Sequence, residues 1–171
     1  MKLTSYDLSQ EFGMMEINEI DLLKKHVAKL PDAPLIINIG AGFGTSSLAM
    51  LEVQPGAFIF SIDPQPRAKE QEHIARAGYA NRAIRLLGKS QQVGQFFPYQ
   101  VNCVFVDGSH VPKDVQRDIE LWKPKVKPGG LMFFHDYQHP NYQKHGPDEA
   151  AAIVDRLMVD WTRLGVARYM V

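Results

Sequence analysis

Residues 35–45 read Leu35-Ile36-Ile37-Asn38-Ile39-Gly40-Ala41-Gly42-Phe43-Gly44-Thr45. A short, nearly all-apolar run passes straight into alternating glycines. That pattern predicts a strand buried on both faces, ending in a tight turn. Glycine in such a turn lets backbone N–H groups approach a ligand at the N-terminus of the helix that follows, here from Ser46 to about Val53. The spacing is G-x-G-x-G. The dinucleotide fingerprint G-x-G-x-x-G would need glycine where Thr45 stands.

Outward from this loop, the same kind of strand recurs. Ala57–Ile62 ends at Asp63-Pro64, Ala83–Leu87 at Gly88, Val101–Val106 at Asp107-Gly108, and Leu131–Phe134 at His135-Asp136. Helical spacing of apolar residues predicts helices over about 16–30, 66–77, 112–126 and 148–164, and a short one with Ser90 as its N-cap. Strands alternating with helices imply βαβ units and an α/β, doubly wound, mostly parallel Rossmann-like sheet. Ligands of such sheets bind beyond the C-terminal strand ends. The residues to watch are therefore Gly40–Gly44, Asp63, Gly88–Ser90, Asp107–His110 and His135–Tyr137.

The rest of the composition narrows the function. The 171 residues suit one domain, with 16–171 as its core and 1–15 as an N-terminal arm or lid. Nineteen basic and nineteen acidic residues cancel, so no global field recruits nucleic acid or an anionic membrane. No apolar run approaches the roughly 20 residues of a membrane span. The N-terminus carries Asp7, Glu11 and Glu16 and no continuous apolar segment, so it does not read as a signal peptide. Cys103 is the only cysteine. A cytoplasmic location is the expectation.

Two features carry chemistry. Asp63 follows Gly40 by 23 residues, at a strand end, where a carboxylate accepts hydrogen bonds from the ribose of an adenosine cofactor. Asp107 and Asp136 end neighbouring strands and converge on one spot, which suits a hard divalent cation such as Mg²⁺. Each also has a plain structural role open to it: Asp107 as a helix cap, His110 as a solvated loop residue, His135 as a buried histidine bonded to backbone.

The segments Ile39–Gly44, Asp63, Val106-Asp107-Gly108-Ser109-His110, Asp118, Trp122 and Pro128-Gly129-Gly130-Leu131-Met132-Phe133-Phe134-His135-Asp136-Tyr137 resemble the class I S-adenosylmethionine-dependent methyltransferases. The second half resembles the small-molecule O-methyltransferase branch, with its catechol-type, macrolide-sugar and cephalosporin-hydroxylase-like members. The resemblance spans about 17–137. It implies S-adenosyl-L-methionine bound by Asn38, Gly40, Ala41, Gly42, Asp63, Lys89, Ser90 and Asp107, with Lys89 and Ser90 at the adenine. It implies a divalent metal, Mg²⁺ or Mn²⁺, on Asp107 and Asp136, and His110 as general base on a small hydroxylated substrate. Two positions depart from the family. Asn38 stands where relatives carry Asp or Glu, which removes a charge-assisted bond to the methionine ammonium. His135 stands where relatives often have Glu or Asp; as a third ligand it would bias the site toward Mn²⁺, Fe²⁺ or Zn²⁺. A metal-independent N- or O-methyltransferase and a non-catalytic adenosine- or nucleotide-binding module remain as alternatives.

Residues 137–147, with Tyr137, His139, Tyr142, Lys144 and His145, are expected to lie over the metal, either as substrate contacts or as a solvated loop leading into the next helix. The segment Thr4–Met15, with Tyr6, Phe12, Met14 and Met15, would cover the same face, form a dimer arm or stay disordered. Relatives of this type end with a helix and two more strands, the last antiparallel. Only 35 residues follow Asp136. They hold one helix and one strand, 165–171, so the expected strand order is 3-2-1-4-5-6. The missing antiparallel strand leaves an edge that needs cover, which makes a homo-oligomer an expectation too.

Overall fold

Strands β1 (Leu35–Ile39), β2 (Phe58–Asp63), β3 (Ala83–Leu87), β4 (Val101–Val106) and β5 (Val126–Phe134) form one parallel sheet in the order β3-β2-β1-β4-β5. The computed structural model describes residues 2–65, 68–142 and 148–171. The helices are α1 (Ser5–Phe12), α2 (Ile17–Val27), α3 (Thr45–Val53), α4 (Ala68–Arg76), α5 (Ser90–Phe96), α6 (Pro112–Trp122) and α7 (Glu149–Leu157). None of the described helices is long and apolar enough to cross a membrane.

The strand sequences explain the layering. Successive side chains alternate between faces. Ile36, Cys103, Phe105 and Phe133 pack with Leu23, Val27 and Met50 on one side of the sheet. Ile37, Ile39, Val104 and Phe134 pack with Ile119, Trp122 and Val154 on the other. Both faces of β4 are occupied, so all six of its residues are buried. Burying each such side chain contributes about 1.5–3 kcal/mol.

Helix α3 is apolar or small from Thr45 through Leu51, and those seven residues are all buried. A helix of that kind needs cover on its outer side. Helices α1 and α2 provide it, both packing on α3. Residues 5–12 thus form a helix packed on α3 and α2. Thr4 caps α1 through a reciprocal bond pair with Asp7, and Gly13 closes it in the left-handed region. Ser5 Oγ donates to Glu52 at 2.7 Å, which ties α1 to α3.

The C-terminal expectation is corrected. Helix α7 stops at Leu157 rather than near 164. Lys123 Nζ donates to the Leu157 carbonyl at 2.6 Å and pairs with Asp160, satisfying that helix end from α6's side. The predicted sixth strand over 165–171 does not form. Ala167 and Met170 instead close a turn by exchanging backbone bonds at 2.9 Å. Arg168 takes positive φ, +46°, inside that turn. Val171 then meets the outer edge of β5 antiparallel, not parallel. The sheet has five strands.

Candidate functional site

The glycine loop brings β1 and β4 into near contact. Gly40 has φ +87°, and a Cβ there would lie 1.9 Å from the Asp107 carbonyl oxygen. Only glycine allows that approach. Around it, Gly40 N–H donates to Ile62 O and Asp107 N–H to Ile39 O, each at 2.9 Å. The ladder thus extends one residue past each strand end and fixes Asp107. Gly42 has φ +51°, and nothing lies within 4 Å of where its Cβ would be. Its backbone faces open space at the start of α3.

That space is a cleft of about 710 Å³, within the range of small-molecule sites, about 300–1,000 Å³. Gly40, Gly42, Asp63, Lys89 and Ser90 line one end; Asp107, His110, His135 and Asp136 line the other; Gly13 and Met14 border it. Asp63 Oδ1 accepts from the Gln65 N–H at 2.8 Å, which holds the carboxylate at its strand end. Ser90 is the first helical residue of α5, not its cap; Lys89 holds the cap position. The Ser90 hydroxyl donates to Asp118, and Gln91 Nε2 donates to the same oxygen at 2.7 Å. Burial pushes the Asp118 carboxyl up to about 6, with the Asp114 charge adding and the Ser90 and Gln91 bonds opposing.

Two expected contacts lie elsewhere. Ala41 is buried within the loop. Asn38 is fully buried beneath it, donating to Ser46 Oγ at 3.1 Å and Ser47 Oγ at 2.7 Å. Its amide ties β1 to the first turn of α3. Ser47 continues the polar cluster to Glu70 Oε1 at 3.2 Å. An amide satisfies these hydroxyls without adding a second buried charge beside Glu70.

At the other end, Asp107, His110 and Asp136 offer ligand atoms that lie within 4.8 Å of one another. His110 Nε2 is 3.5 Å from Asp136 Oδ2. Asp136 has φ +57°, a left-handed conformation that an Asp side chain tolerates better than most. Asp107 caps no helix; Val111 holds the cap position of α6, with Ser109 Oγ donating to Asp114 at 2.8 Å.

His135 lies behind this trio. Its Nδ1 is 3.3 Å from Asp107 Oδ1 and 3.4 Å from Asp136 Oδ2, and its Nε2 is 3.3 Å from Glu19 Oε2. Burial works against charge on this imidazole, but the carboxylates of Asp107, Asp136 and Glu19 around its two nitrogens outweigh it and raise the pKa far above the ordinary value. The carboxylates respond differently. Burial raises Asp107 despite His135. In Asp136, burial is outweighed by the close contact with His135 and by the charges of His135, His110 and His139, and the net shift is downward.

Glu19 was not legible as a site residue. It is the third residue of α2 and pairs with its own cap: Glu16 N–H donates to Glu19 Oε2 at 2.8 Å. That local capping role gives no sign in the sequence of its second use at the cleft. Phe12, in the segment whose place the sequence left open, stacks on Phe43 of the glycine loop, centroids 4.2 Å apart.

Of the expected substrate loop, Tyr137 is buried and donates to Asp155 Oδ1 at 2.8 Å, a structural role. His139 packs edge-on against Tyr169, with centroids 4.2 Å apart. The side chain of Tyr142 and residues 143–147, with Lys144 and His145, lie outside the described residues. On the N-terminal side, Tyr6 donates to Asp21 at 2.6 Å and Met15 is core.

Residues 37–137, more than half of the chain, match the family described as "Methyltransferase domain". Among solved structures, a protein from Corynebacterium glutamicum superposes with a TM-score of 0.71 at 20% identity, covering 91% of this chain and 77% of that one. The O-methyltransferase from Bacillus cereus, crystallised in complex with SAH, gives 0.69 at 12% identity, over 91% and 75% of the two chains. The O-methyltransferase TomG from Streptomyces achromogenes, involved in tomaymycin synthesis and solved with SAM, gives 0.65 at 17%, over 91% and 74%. At these identities the likeness is one of fold.

Proposed function

The chain belongs to the methyltransferase-domain family, and on that premise we propose that it moves a methyl group from S-adenosylmethionine to a hydroxyl oxygen of a small molecule, with a divalent cation on Asp107 and Asp136 and His110 as the base. One observation carries this reading. The glycine loop, Asp63 and Ser90 share a single cleft with Asp107, His110 and Asp136.

The cofactor, when bound, supplies a methyl group on a positively charged sulfur. The chain's task is to hold it and to prepare the oxygen. Gly40 and Gly42 let backbone approach the cofactor at the N-terminal end of α3. Asp63 accepts from ribose hydroxyls, and Lys89 and Ser90 flank the adenine end. An alcohol or phenol is mostly protonated near neutrality and is a poor nucleophile in that form.

The residues fit a cation. Two carboxylates and an imidazole stand within 4.8 Å, and the buried Nδ1 of His135 has no hydrogen-bond partner of its own while facing both carboxylates. A divalent cation, when bound there, lowers the pKa of a hydroxyl placed on it. His110, on the cleft side of Asp136, then accepts the proton, and the Asp136 carboxylate 3.5 Å away supports the resulting charge. The shared cleft aligns oxygen, methyl and sulfur for in-line displacement.

Calorimetry with S-adenosylhomocysteine tests the core of the reading. Binding is expected, with at least a tenfold loss in Asp63→Ala; absence of binding to the wild type removes it. Transfer of labelled methyl to a catechol probe, with and without EDTA, then tests acceptor class and metal together.

A further inference from the structure

His110 cannot both fill a cation's coordination sphere and take the substrate proton. The packing around His135 offers a resolution. Its Nε2 faces Glu19 Oε2 at 3.3 Å, and its side chain is 8% exposed. Glu19 itself is held on both oxygens: Oε2 by the Glu16 N–H at 2.8 Å and Oε1 by the Tyr169 N–H at 3.1 Å. It is 2% exposed and has no room to swing away. The imidazole is therefore pinned along its Nε2 edge, and Nδ1 is turned toward Asp107 and Asp136.

Nδ1 lies 3.3 and 3.4 Å from one oxygen of each, without hydrogen-bond geometry to either. A buried ring nitrogen ordinarily has a partner. The spacing is that of ligands sharing one ion: bonds of about 2.1 Å put neighbouring ligand atoms about 3.0 Å apart in an octahedron and about 3.4 Å in a tetrahedron. A ligating histidine usually donates its other N–H to a carboxylate, which fixes tautomer and ring angle.

We propose that Glu19 is a positioning residue: by accepting the Nε2–H of His135 it presents Nδ1 as the third ligand of the Asp107–Asp136 cation site, tilts that site toward Mn²⁺ over Mg²⁺, and leaves proton transfer to His110. The inference rests on the metal-assisted reading above. Imidazole nitrogen favours the borderline metals, whereas Mg²⁺ gains little from it.

The test uses the full chain with Mn²⁺ or Mg²⁺ as the probe. Pulsed EPR of bound Mn²⁺ is expected to show a directly coordinated ¹⁴N that disappears in His135→Gln and persists in His110→Gln; the reverse pattern overturns the assignment. Glu19→Gln is expected to weaken Mn²⁺ binding about tenfold or more and Mg²⁺ binding less, narrowing the preference. Glu19→Asp, which keeps the charge, should recover part of the loss. Wild-type Mn²⁺ affinity in a folded Glu19→Gln sinks the positioning role, and if that variant does not fold, the ¹⁴N pattern and Glu19→Asp decide. Wild-type protein that binds no Mn²⁺ also overturns the inference. S-adenosylhomocysteine binding to that same sample leaves the methyltransferase reading standing, and its absence removes that reading separately.

Discussion

Phe12 lies flat on Phe43, ring centroids 4.2 Å apart and planes 3° from parallel. One ring ends α1; the other stands between Gly42 and Gly44 in the glycine loop. His73 stacks on the same Phe12 ring at 5.5 Å, and its Nδ1 contacts the Phe43 carbonyl at 2.8 Å. The N-terminal helix is therefore clipped to the loop that borders the cleft. Phe12→Ala removes an aromatic pair and part of the cover over α3. The expected cost is about 2 kcal/mol, below that of a fully buried Phe because Phe12 is only partly buried. Urea melts read the loss. Hydrogen exchange in α1 should accelerate well beyond the global effect, and unchanged α1 exchange would show that Phe12 is not the anchor.

Two glycines in one loop should fail differently. Gly40→Ala would place Cβ 1.9 Å from a backbone carbonyl oxygen at φ +87°, and neither partner is a side chain that can turn aside. Expression of unfolded or insoluble protein is expected. Gly42→Ala meets nothing within 4 Å, so only the left-handed backbone opposes it, about 1 kcal/mol. That variant should fold, with circular dichroism like the wild type, yet bind S-adenosylhomocysteine at least tenfold more weakly. Equal binding by Gly42→Ala and wild type would detach the loop from the cofactor.

The contrast marks what could be read from sequence. The strands and their ends were legible because each pairs an apolar run with a polar or glycine stop. That alone placed Asp63, Asp107, His110 and Asp136 at one edge of a sheet. What escaped was long-range. Glu19 meets His135 across 116 positions, and no local pattern encodes that. Asn38 sits at the expected register position, but its burial under α3 depends on the hydroxyls of Ser46 and Ser47. The C-terminal turn was misread because Gly165–Val171 has strand-like composition. Its conformation goes with backbone bonds to Phe134 and Tyr137 and with the bond from the Tyr169 N–H to Glu19 at 3.1 Å.

The buried Asp118 should make stability depend on pH in a defined window. Its folded pKa is raised to about 6 from an ordinary value of 3.8, chiefly by burial. Between those values the native state binds the extra proton, so this group's contribution to stability falls as pH rises from about 4 to about 6 and is flat above. The shift corresponds to a penalty on the order of 2–3 kcal/mol at neutral pH. Asp118→Asn keeps an acceptor for Ser90 and Gln91 and carries no charge. Its stability relative to wild type should be near zero difference at pH 4 and rise toward that amount at pH 7. Melting curves over this range check it, and a pH-independent difference would contradict it.

The open edge of the sheet gives the last prediction. Phe134 and Val171 exchange both backbone bonds, N–H to O at 2.7 and 3.1 Å, so Phe134 points its backbone groups away from β4. Along a strand these groups alternate in direction, which turns those of Met132 to the same outer side. There they border a cavity of about 330 Å³ between β5 and the segment after α7. The Phe134 amide should exchange slowly with solvent and the Met132 amide quickly, although only one residue separates them. Deleting Val171 should release Phe134 and leave Leu131 and Phe133, paired to β4, protected. An edge of this kind is also where copies of the chain would pair if they associate by strand addition. In that event Met132 protection would rise with protein concentration. Exchange at Met132 that is fast and identical from micromolar to millimolar protein rules out self-association through this edge.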